Sequence, residues 1–372
     1  QVGLVDAGLL VVRSGPVGAR TGVGGARARR GGCGGALDRL RLARSRSGRG
    51  VSRRHVFAGR CRHRHVPAVV HPAVEAVRRA AAELHYRPNL AARSLVTGRT
   101  GLVGLLVNEP QHKLWTDPFF GELARGAHDR LAEEGVALIL SLATEESERD
   151  KLVELATTRL DGVLIVRGGG DEKLVHALVD AGVTAVTAGR PAESLVERVG
   201  WVDSENRVGA RTAVEHLLER GRRRIGIITG PEDMTVVQDR LAGWQAALKD
   251  AGLDADDALV ETGAFTIDSG ADAVSRLLER VPDLDAVFAM NDLMALGALR
   301  QLRVAGKDVP GDVAVMGFDD LLAETSSPSL STMAQDVQGF GVAMASLLLE
   351  QLAGGAPRHE VIPVALVPRE ST

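Results

Sequence analysis

At 372 residues the chain is long enough for two or three domains, each able to bury its own core. It has no unbroken apolar run of transmembrane length, and its first residues lack the basic start and small-residue cleavage site of a signal peptide, so we expect a cytoplasmic protein with no membrane partner. The two cysteines, Cys33 and Cys61, fit no metal spacing, and neither a disulfide framework nor a metal or other cofactor is expected.

Charge is distributed unevenly along the chain. Residues 1–70 contain 15 Arg, no Lys and only two acids, Asp6 and Asp38, whereas the remaining residues hold 30 bases and 46 acids. A basic N-terminal segment on an otherwise acidic chain is typical of nucleic-acid-binding proteins, because only the segment that contacts the polyanion needs to be positively charged. The other interpretation is a disordered basic tail.

Residues 1–69 form an irregular segment rich in Arg and Gly, without the sustained period of a helix or a strand. Such a segment is typical of GC-rich DNA translated out of frame, which is our interpretation, and a genuine disordered basic arm is the alternative. The pattern changes at Pro72, which suits a first helical turn, because Val77, Ala81 and Leu84 then recur at helical spacing. A helix is therefore predicted to begin there.

Beyond residue 100, apolar runs alternate regularly with amphipathic helices. The runs predicted as strands are residues 102–107, 136–140, 162–166, 184–188, 225–229, 286–290 and 313–316. The predicted helices are residues 120–131, 145–158, 172–181, 206–220, 238–251, 270–280 and 292–305. Continuous apolar strands separated by crossover helices indicate buried parallel sheets covered on both faces. Because so many units exceed one sheet, an α/β fold with two Rossmann-like lobes is predicted, with a ligand site in the cleft between them.

The segment YRPNLAARSL, from Tyr86 to Leu95, resembles the hinge of the lactose repressor (LacI/GalR) family. Seven further segments between residues 70 and 372 follow in the order and spacing of that family: DPFFGELARGAHDRLAEEG, LDGVLIV, AVEHLLERGRRRIGIITGP, RLAGWQAAL, MNDLMALGALR, VPGDVAVMGFDD and LSTMAQD. The resemblance implies two sensor lobes of the periplasmic-binding-protein type, preceded by a remnant of an α-helical DNA-binding head and a hinge. It also implies an effector-responsive transcriptional regulator, a repressor, and not an enzyme.

The resemblance divides the chain into four parts. The irregular segment 1–69 is followed by residues 70–100, which hold the last helix of the head and the hinge helix. The N-terminal sensor lobe is expected to comprise residues 101–203 and 336–360. The C-terminal sensor lobe is expected to comprise residues 204–335 and 361–372. Effector binding would change the angle between the lobes of a homodimer joined along its sensor lobes, and thereby the fit of the paired hinges to operator DNA.

In the family the hinge forms a short helix on operator DNA and wedges a leucine, here Leu95, into the minor groove, which kinks the duplex. Small side chains such as Ala91 and Ala92 allow two hinges to approach, while neighbouring polar groups hold phosphates. The residues to which the resemblance gives a DNA-binding role are Tyr86, Asn89, Ala92, Arg93, Ser94 and Leu95. An ordinary linker helix is the alternative that these residues alone leave open.

The helix-turn-helix that begins members of this family is not recognisable. Gly50, Val51 and Ser52 match the start of its reading motif, but basic residues follow, and the distance to Tyr86 is a few residues too long. We therefore expect the binding of operator DNA to be impaired in this chain.

The resemblance also carries over a set of effector contacts. Two phenylalanines at the start of the first sensor helix and one in the other lobe would grip the weakly polar face of a sugar ring, while amides and carboxylates take its hydroxyls. The implied effector-binding residues are Phe119, Phe120, Gln238, Phe265, Asn291, Asp319 and Gln335. For any single Phe, a place in the hydrophobic core is the alternative.

Two departures from the family bear on the effector. Gln238 stands where the family often has an arginine, and Gly189 stands where it often has an aspartate. Loss of an arginine removes a bidentate clamp for carboxylate or phosphate, so the effector is predicted to be a neutral sugar or a related metabolite. Arg190, next to Gly189, could restore a positive charge.

Two other classes of protein share part of this pattern. A Rossmann enzyme needs a glycine fingerprint after its first strand, and the candidate at residues 167–171 (RGGGD) follows a later strand and lacks the GxGxxG spacing. A sugar-binding protein of the periplasmic type shares the two-lobed fold, but it needs an export signal and has no use for a DNA-binding hinge. This second class is the alternative function.

Overall fold

The computed structural model of the chain describes residues 10–11, 72–84, 98–142, 146–167 and 172–372. The strands of this part of the chain are β1 (Leu10–Val11), β2 (Leu102–Asn108), β3 (Ala137–Leu142), β4 (Gly162–Arg167), β5 (Ala185–Ala188), β6 (Gly200–Ser204), β7 (Ile225–Thr229), β8 (Val260–Thr262), β9 (Ala286–Ala289), β10 (Ala314–Asp319), β11 (Ser331–Gln335), β12 (His359–Ile362) and β13 (Val364–Val367). The helices are α1 (Pro72–Glu83), α2 (Gln111–Thr116), α3 (Pro118–Glu133), α4 (Glu146–Arg159), α5 (Lys173–Asp180), α6 (Asn206–Glu219), α7 (Thr235–Asp250), α8 (Ile267–Arg280), α9 (Asp292–Val304) and α10 (Val337–Leu352).

The helix predicted to follow the Arg-rich segment is α1, which begins at Pro72 as expected. Its apolar residue Val77 and the adjoining Leu84 are 68% and 78% exposed. Of the segment 1–69, only Leu10 and Val11 are described, and they pair antiparallel with β3. The rest of that segment, and the predicted hinge, lie outside the described residues.

The first lobe is built on a sheet with the strand order β1-β3-β2-β4-β5-β6-β12, in which the strands after β1 pair in parallel. Successive side chains of a strand point to opposite faces, so Leu105 and Leu106 of β2 enter two different cores. Helices α3 and α10 cover the face of Leu105, whereas α4 and α5 cover the face of Leu106. The lobe is therefore a sheet between two helical layers, as its continuous apolar runs predict.

The second lobe is built on a sheet with the strand order β13-β11-β10-β9-β7-β8. Strands β7 to β11 pair in parallel, and β13 pairs antiparallel with β11 at one edge. Its core is one continuous cluster that contains the fully buried Trp244, Phe288 and Phe318. The α/β fold with two parallel-sheet lobes is thus confirmed, and β6, β8 and β11 to β13 are strands that the apolar runs did not predict.

The chain passes between the lobes after β6, after β11, and between β12 and β13. The sequence placed these crossings after residues 203, 335 and 360. Two of the strands in fact run further, because Val361 and Ile362 of β12 pair with Asp203 and Ser204 of β6 in the first sheet. Pairing between these two strands extends the first lobe by one residue at β6 and two at β12.

Two glycines hold α3 and α10 in close contact. A Cβ atom on Gly126 would lie 1.9 Å from the carbonyl oxygen of Gln338, and one on Gly341 would lie 2.1 Å from that of Leu123. At the far end of α10, the carbonyl of Leu352 accepts a hydrogen bond from Arg99 at 2.7 Å. Helix α10 therefore packs against α3 near its first turns and, at its other end, contacts the segment by which the chain enters the first lobe.

Candidate functional site

A cavity of about 140 Å³ lies between the two lobes, and we call it the inner cavity. Strands β6, β10 and β11 end at it with Ser204, Asp319 and Gln335. Ligands of open parallel sheets bind at the carboxyl ends of strands, so this is where a ligand is expected. The residues that line it are Glu109, Lys113, Asp117, Phe119, Phe120, Val166, Ala188, Gly189, Asp203, Ser204, Asn206, Met234, Val236, Arg240, Phe265, Asn291, Asp319, Gln335 and Phe340.

Aromatic rings from both lobes form the apolar walls of the inner cavity. Phe119 and Phe120 lie edge to face, with ring centroids 5.7 Å apart, at the start of α3. The Asp117 carboxylate caps this helix by accepting a hydrogen bond from the Phe119 N–H at 2.9 Å. The cap fixes where the helix begins and thereby positions the two rings. Across the cleft stands Phe265, a non-glycine residue with a φ of 59°.

Gly230, one residue beyond β7, allows the Phe265 ring to take its place. A Cβ atom on Gly230 would lie 2.1 Å from the tip of that ring, so any other residue would displace it. The apolar walls therefore depend on a glycine that the sequence did not single out.

The polar side of the inner cavity is a hydrogen-bonded chain between the lobes. Asp319 accepts from Gln335 Nε2 at 2.5 Å, and Gln335 Oε1 accepts from the Ser204 hydroxyl at 2.5 Å. Burial raises the pKa of Asp319 well above its ordinary value, and the nearby Arg240 opposes that rise. Since Ser204 ends a strand of the first lobe and Asp319 one of the second, this chain of bonds is sensitive to the angle between the lobes.

Arg240 is the buried cation of the site. Its Nε donates to Asn206 Oδ1 at 2.9 Å, one terminal nitrogen donates to the carbonyl of Met290, and Cζ lies 3.5 Å from the ring centroid of Phe318. Burial lowers its pKa to about 10, while the neighbouring aspartates oppose that change. The sequence did not single out Arg240, so the cavity holds a buried cation that the sequence argument for a neutral effector did not include.

The different positions of Gln238 and Arg240 come from helical geometry. Gln238 and Arg240 are two residues apart on α7, so they point about 200° apart around the helix. Gln238 does not line the inner cavity, and its Nε2 donates to the carbonyl of Glu232 at 3.2 Å. The sequence signal that could have identified Arg240 is Gly243, three residues further along the same helix. A Cβ atom on Gly243 would lie 2.3 Å from the carbonyl oxygen of Arg207 on α6. That close contact between α6 and α7 brings Arg240 beside Asn206.

Further carboxylates line the first-lobe side. Asp203 accepts hydrogen bonds from Ser204 N at 2.8 Å and Asn206 Nδ2 at 2.7 Å, and burial raises its pKa. Glu109 pairs with Lys113 at 3.0 Å, and burial again raises the pKa of the carboxyl while the lysine opposes it. Burial raises the pKa of Asp117 as well. The sequence missed these residues because their signal lies in the fold and not in local spacing.

Six of the seven effector residues implied by the resemblance line the inner cavity: Phe119, Phe120, Phe265, Asn291, Asp319 and Gln335. Asn291 is engaged within the protein, because its Oδ1 accepts from Met294 N at 2.9 Å at the start of α9 and its Nδ2 donates to the Phe265 carbonyl at 3.5 Å. The hinge residues Tyr86, Asn89, Ala92, Arg93, Ser94 and Leu95 lie outside the described residues. Within the described residues, no cluster of His, Cys, Asp and Glu could hold a metal ion, and no helix has the length and apolar character needed to cross a membrane.

Two parallel-sheet lobes around a cavity of aromatic and buried polar residues define the class of two-lobed small-molecule receptors. A family model described as a periplasmic binding protein-like domain matches residues 214–372. The chain is 43% identical over 301 residues to the HTH-type transcriptional regulator CelR of Thermobifida fusca, which covers 80% of this chain and 88% of that protein. It is 33% identical to the ribose operon repressor of Halalkalibacterium halodurans over 306 residues, 81% of this chain and 88% of the repressor.

A solved structure agrees with these relatives. The complex of the transcriptional regulator CelR with cellobiose superposes with a TM-score of 0.72 at 40% identity, and covers 82% of this chain and 92% of that one. The chain belongs to the LacI family of transcriptional regulators. The resemblance noted in the sequence is thereby confirmed.

Proposed function

We propose that this chain is a transcriptional repressor whose sensor body binds a neutral sugar in the inner cavity. The observation that carries the proposal is the composition of that cavity, in which aromatic walls from both lobes face a buried polar network. Aromatic rings pack on the apolar face of a sugar, while hydrogen-bonding groups meet its hydroxyls. The relatives are regulators, so a periplasmic sugar-binding protein without a role on DNA is not favoured.

The charged residues that line the cavity also favour a neutral ligand. Four acids line it, Glu109, Asp117, Asp203 and Asp319, against two bases, Lys113 and Arg240. Both bases are engaged, Lys113 with Glu109 and Arg240 with Asn206, Met290 and Phe318. An anionic effector would meet an excess of carboxylates and no uncommitted cation among the cavity residues.

Calorimetric titration of the full chain tests the proposal. The panel should include cellobiose and ribose, because related regulators carry those sugars in their names or complexes, together with glucose and glucose 6-phosphate. We expect at least one neutral sugar to bind, and glucose 6-phosphate to bind at least tenfold more weakly than glucose does. A panel in which no sugar binds, or in which the phosphate ester binds more tightly, would contradict the proposal.

We further propose that the chain acts on DNA in the cytoplasm but lacks sequence-specific recognition. Specificity comes from base contacts, and no reading motif is recognisable before the hinge. The 15 arginines of residues 1–70 should give non-specific attraction that weakens steeply with salt, because each neutralised phosphate releases counterions. Binding to a palindromic site upstream of the gene and to scrambled DNA should be compared at two salt concentrations. A preference of about a hundredfold or more for the palindrome would show that these residues do form a reader.

A homodimer is the third part of the proposal. Symmetric operators are bound by two-fold dimers. In the first lobe, Trp115 at the end of α2 is 64% exposed and lies beside a groove of about 670 Å³. The groove contains Leu114, Leu138 and Leu140, an apolar surface of the kind that a second copy would cover. Light scattering should give a dimer at micromolar concentration and a smaller species for Trp115→Ser. A monomer or a tetramer would count against this arrangement.

A further inference from the structure

An ion pair joins the two lobes across the cleft, outside the inner cavity. Arg190 follows β5 of the first lobe, and its guanidinium lies 2.6 Å from the Asp239 carboxylate on α7 of the second lobe. The hydroxyl of Thr235, also on α7, donates to the carbonyl oxygen of the same arginine at 2.8 Å. None of these three residues lines the inner cavity. The contact therefore joins the lobes without forming part of the cavity wall.

The spacing of the two α7 residues allows them to hold the arginine at two points. Thr235 and Asp239 are four residues apart, so they lie on one face of the helix, one turn from each other. The threonine holds the main chain of Arg190, and the aspartate holds its side chain. A lone ion pair would tolerate rotation of the arginine side chain. Because this contact also holds the main chain, it depends on one separation of the lobes.

Arg190 is in turn fixed to its own lobe. Gly189, with a φ of 80°, turns the chain at the end of β5, and its N–H donates to the carbonyl of Val202 on β6 at 2.7 Å. The Arg190 N–H donates to the Asp203 carboxylate, also on β6, at 3.2 Å. Two successive N–H groups are thus bonded to the strand that ends at the inner cavity, so a force on Arg190 reaches that strand.

The charges around Arg190 indicate what its loss would do. Two carboxylates contact it, one from each lobe: Asp203 at its N–H and Asp239 at its guanidinium. Burial raises the pKa of Asp203, and the charge of Asp239 raises it further, which means that the two carboxylates repel each other across the cleft. Removing the positive charge of Arg190 leaves that repulsion unopposed and should push the lobes apart.

The ion pair is also accessible to solvent. The side chains of Arg190 and Asp239 are 43% and 30% exposed. Exposed ion pairs are weak and are screened by salt. The pair is therefore a contact between the lobes that can break readily and that ionic strength can weaken.

We propose that Arg190, Asp239 and Thr235 form an interlobe latch, which holds the cleft closed and lets it open when the ion pair breaks. The latch sets how often the cleft opens for an effector to enter or leave, and it does so without contacting a ligand in the inner cavity. The proposal goes beyond sugar sensing, because it can be tested on the full chain with no sugar added.

Distances between the lobes test the latch. Nitroxide labels would be attached at Glu154→Cys in the first lobe and Gln245→Cys in the second, two exposed helical positions, with Cys33 and Cys61 replaced by serine. Pulsed electron resonance on labelled chain diluted with unlabelled chain gives the distances within one copy. We expect one main distance in this parent chain. Arg190→Gln should increase the population at longer distances about threefold or more, in keeping with the energy of an exposed ion pair.

Arg198→Gln is the matched control. Arg198 is also 43% exposed and pairs with Asp180 at 2.7 Å, but both residues belong to the first lobe. This variant should leave the distances unchanged. Arg190→Lys, which keeps the positive charge, should give a smaller population at longer distances than Arg190→Gln does. Thr235→Val removes the hold on the main chain and should also increase that population, while the ion pair remains.

Salt provides a second measurement, which needs no variant of the latch. Sodium chloride at about 1 M shortens the screening length to about 3 Å. It should increase the longer-distance population of the parent chain and have little effect on Arg190→Gln, in which the ion pair is already lost. Unchanged distances in Arg190→Gln, an equal change in Arg198→Gln, or the same response of both chains to salt would each overturn the proposal.

Discussion

The two lobes contribute different chemistry to the same cavity. The first lobe supplies three phenylalanines and carries separate cores on the two faces of its sheet. The second lobe supplies Arg240 and Asp319, and these buried charges lie against its one continuous core. A change in the first-lobe wall should therefore affect binding and leave the folding of the second lobe unchanged, whereas a change in the second-lobe charges should affect both binding and the folding of that lobe.

The largest effect should follow from Arg240→Met. The substitution leaves Asp319 and Asp203 buried without their neutralising cation, and breaking a buried charge pair costs about 3–5 kcal/mol. Urea unfolding followed by tryptophan fluorescence would measure the loss in a Trp115→Phe and Trp201→Phe background, in which the remaining tryptophan is Trp244 in the second-lobe core. Arg211→Met on the adjacent α6 is the control, since Arg211 forms exposed ion pairs and its loss should hardly move the unfolding midpoint. Equal midpoints for the two variants would show that the second lobe does not depend on its buried cation.

The next effect should be on binding. Asp319→Ala leaves the Gln335 amide without its partner, which costs on the order of 2 kcal/mol or more in the affinity for the bound sugar. Asp319→Asn should retain more affinity, because its amide oxygen can still accept a hydrogen bond from Gln335 and its side chain has nearly the size of the carboxylate. Calorimetry on both variants decides this, and an unchanged affinity for Asp319→Ala would remove the inner cavity as the sugar site.

Phe119→Ala provides the contrast from the first lobe. Loss of one stacking ring should weaken sugar binding by about 1 kcal/mol and leave urea unfolding of the second lobe unchanged. A fall in the unfolding midpoint reported by Trp244 would mean that the lobes do not divide binding and stability in this way.

The smallest expected effect is on the pH dependence of the free energy of unfolding. Burial raises the pKa of Asp292 to about 6 from an ordinary value near 3.8, and the surrounding groups are Thr332, Asp319, Asp320 and the buried Arg240. Because the folded-state pKa of this acid lies above the unfolded one, the folded state binds more protons, so this group favours folding less as pH rises from about 4 to about 6. Wild type should lose stability relative to Asp292→Asn over this window in urea unfolding at several pH values. A constant difference between them would refute this.

The sequence anticipated the regular βα units because a buried parallel strand is a continuous apolar run, as in residues 162–166, and such a run needs no context to be recognised. It did not anticipate β6, where the apolar run is only Trp201 and Val202 before Asp203, or β12, whose residues are mostly exposed. It named three of the four phenylalanines that line the inner cavity and missed Phe340. It also named Gln238 and not Arg240, since the face of a helix on which a residue lies depends on the packing of its neighbours. Gly230 and Gly243 matter only through atoms distant in the sequence.

The close packing of α3 and α10 at Gly126 and Gly341 would serve as a pivot about which α10 tilts. Phe340, which lines the inner cavity, lies beside the pivot, and Leu352, which holds Arg99, lies at the other end. The arm from Gly341 to Leu352 is about 16 Å long at 1.5 Å per residue, so a tilt of about 7° at the pivot displaces its end by about 2 Å. A displacement of that size is enough to break or form the hydrogen bond to Arg99, four residues after the predicted hinge. Movement of Phe340 in the cavity would thereby be amplified at Arg99, close to where the chain enters the first lobe.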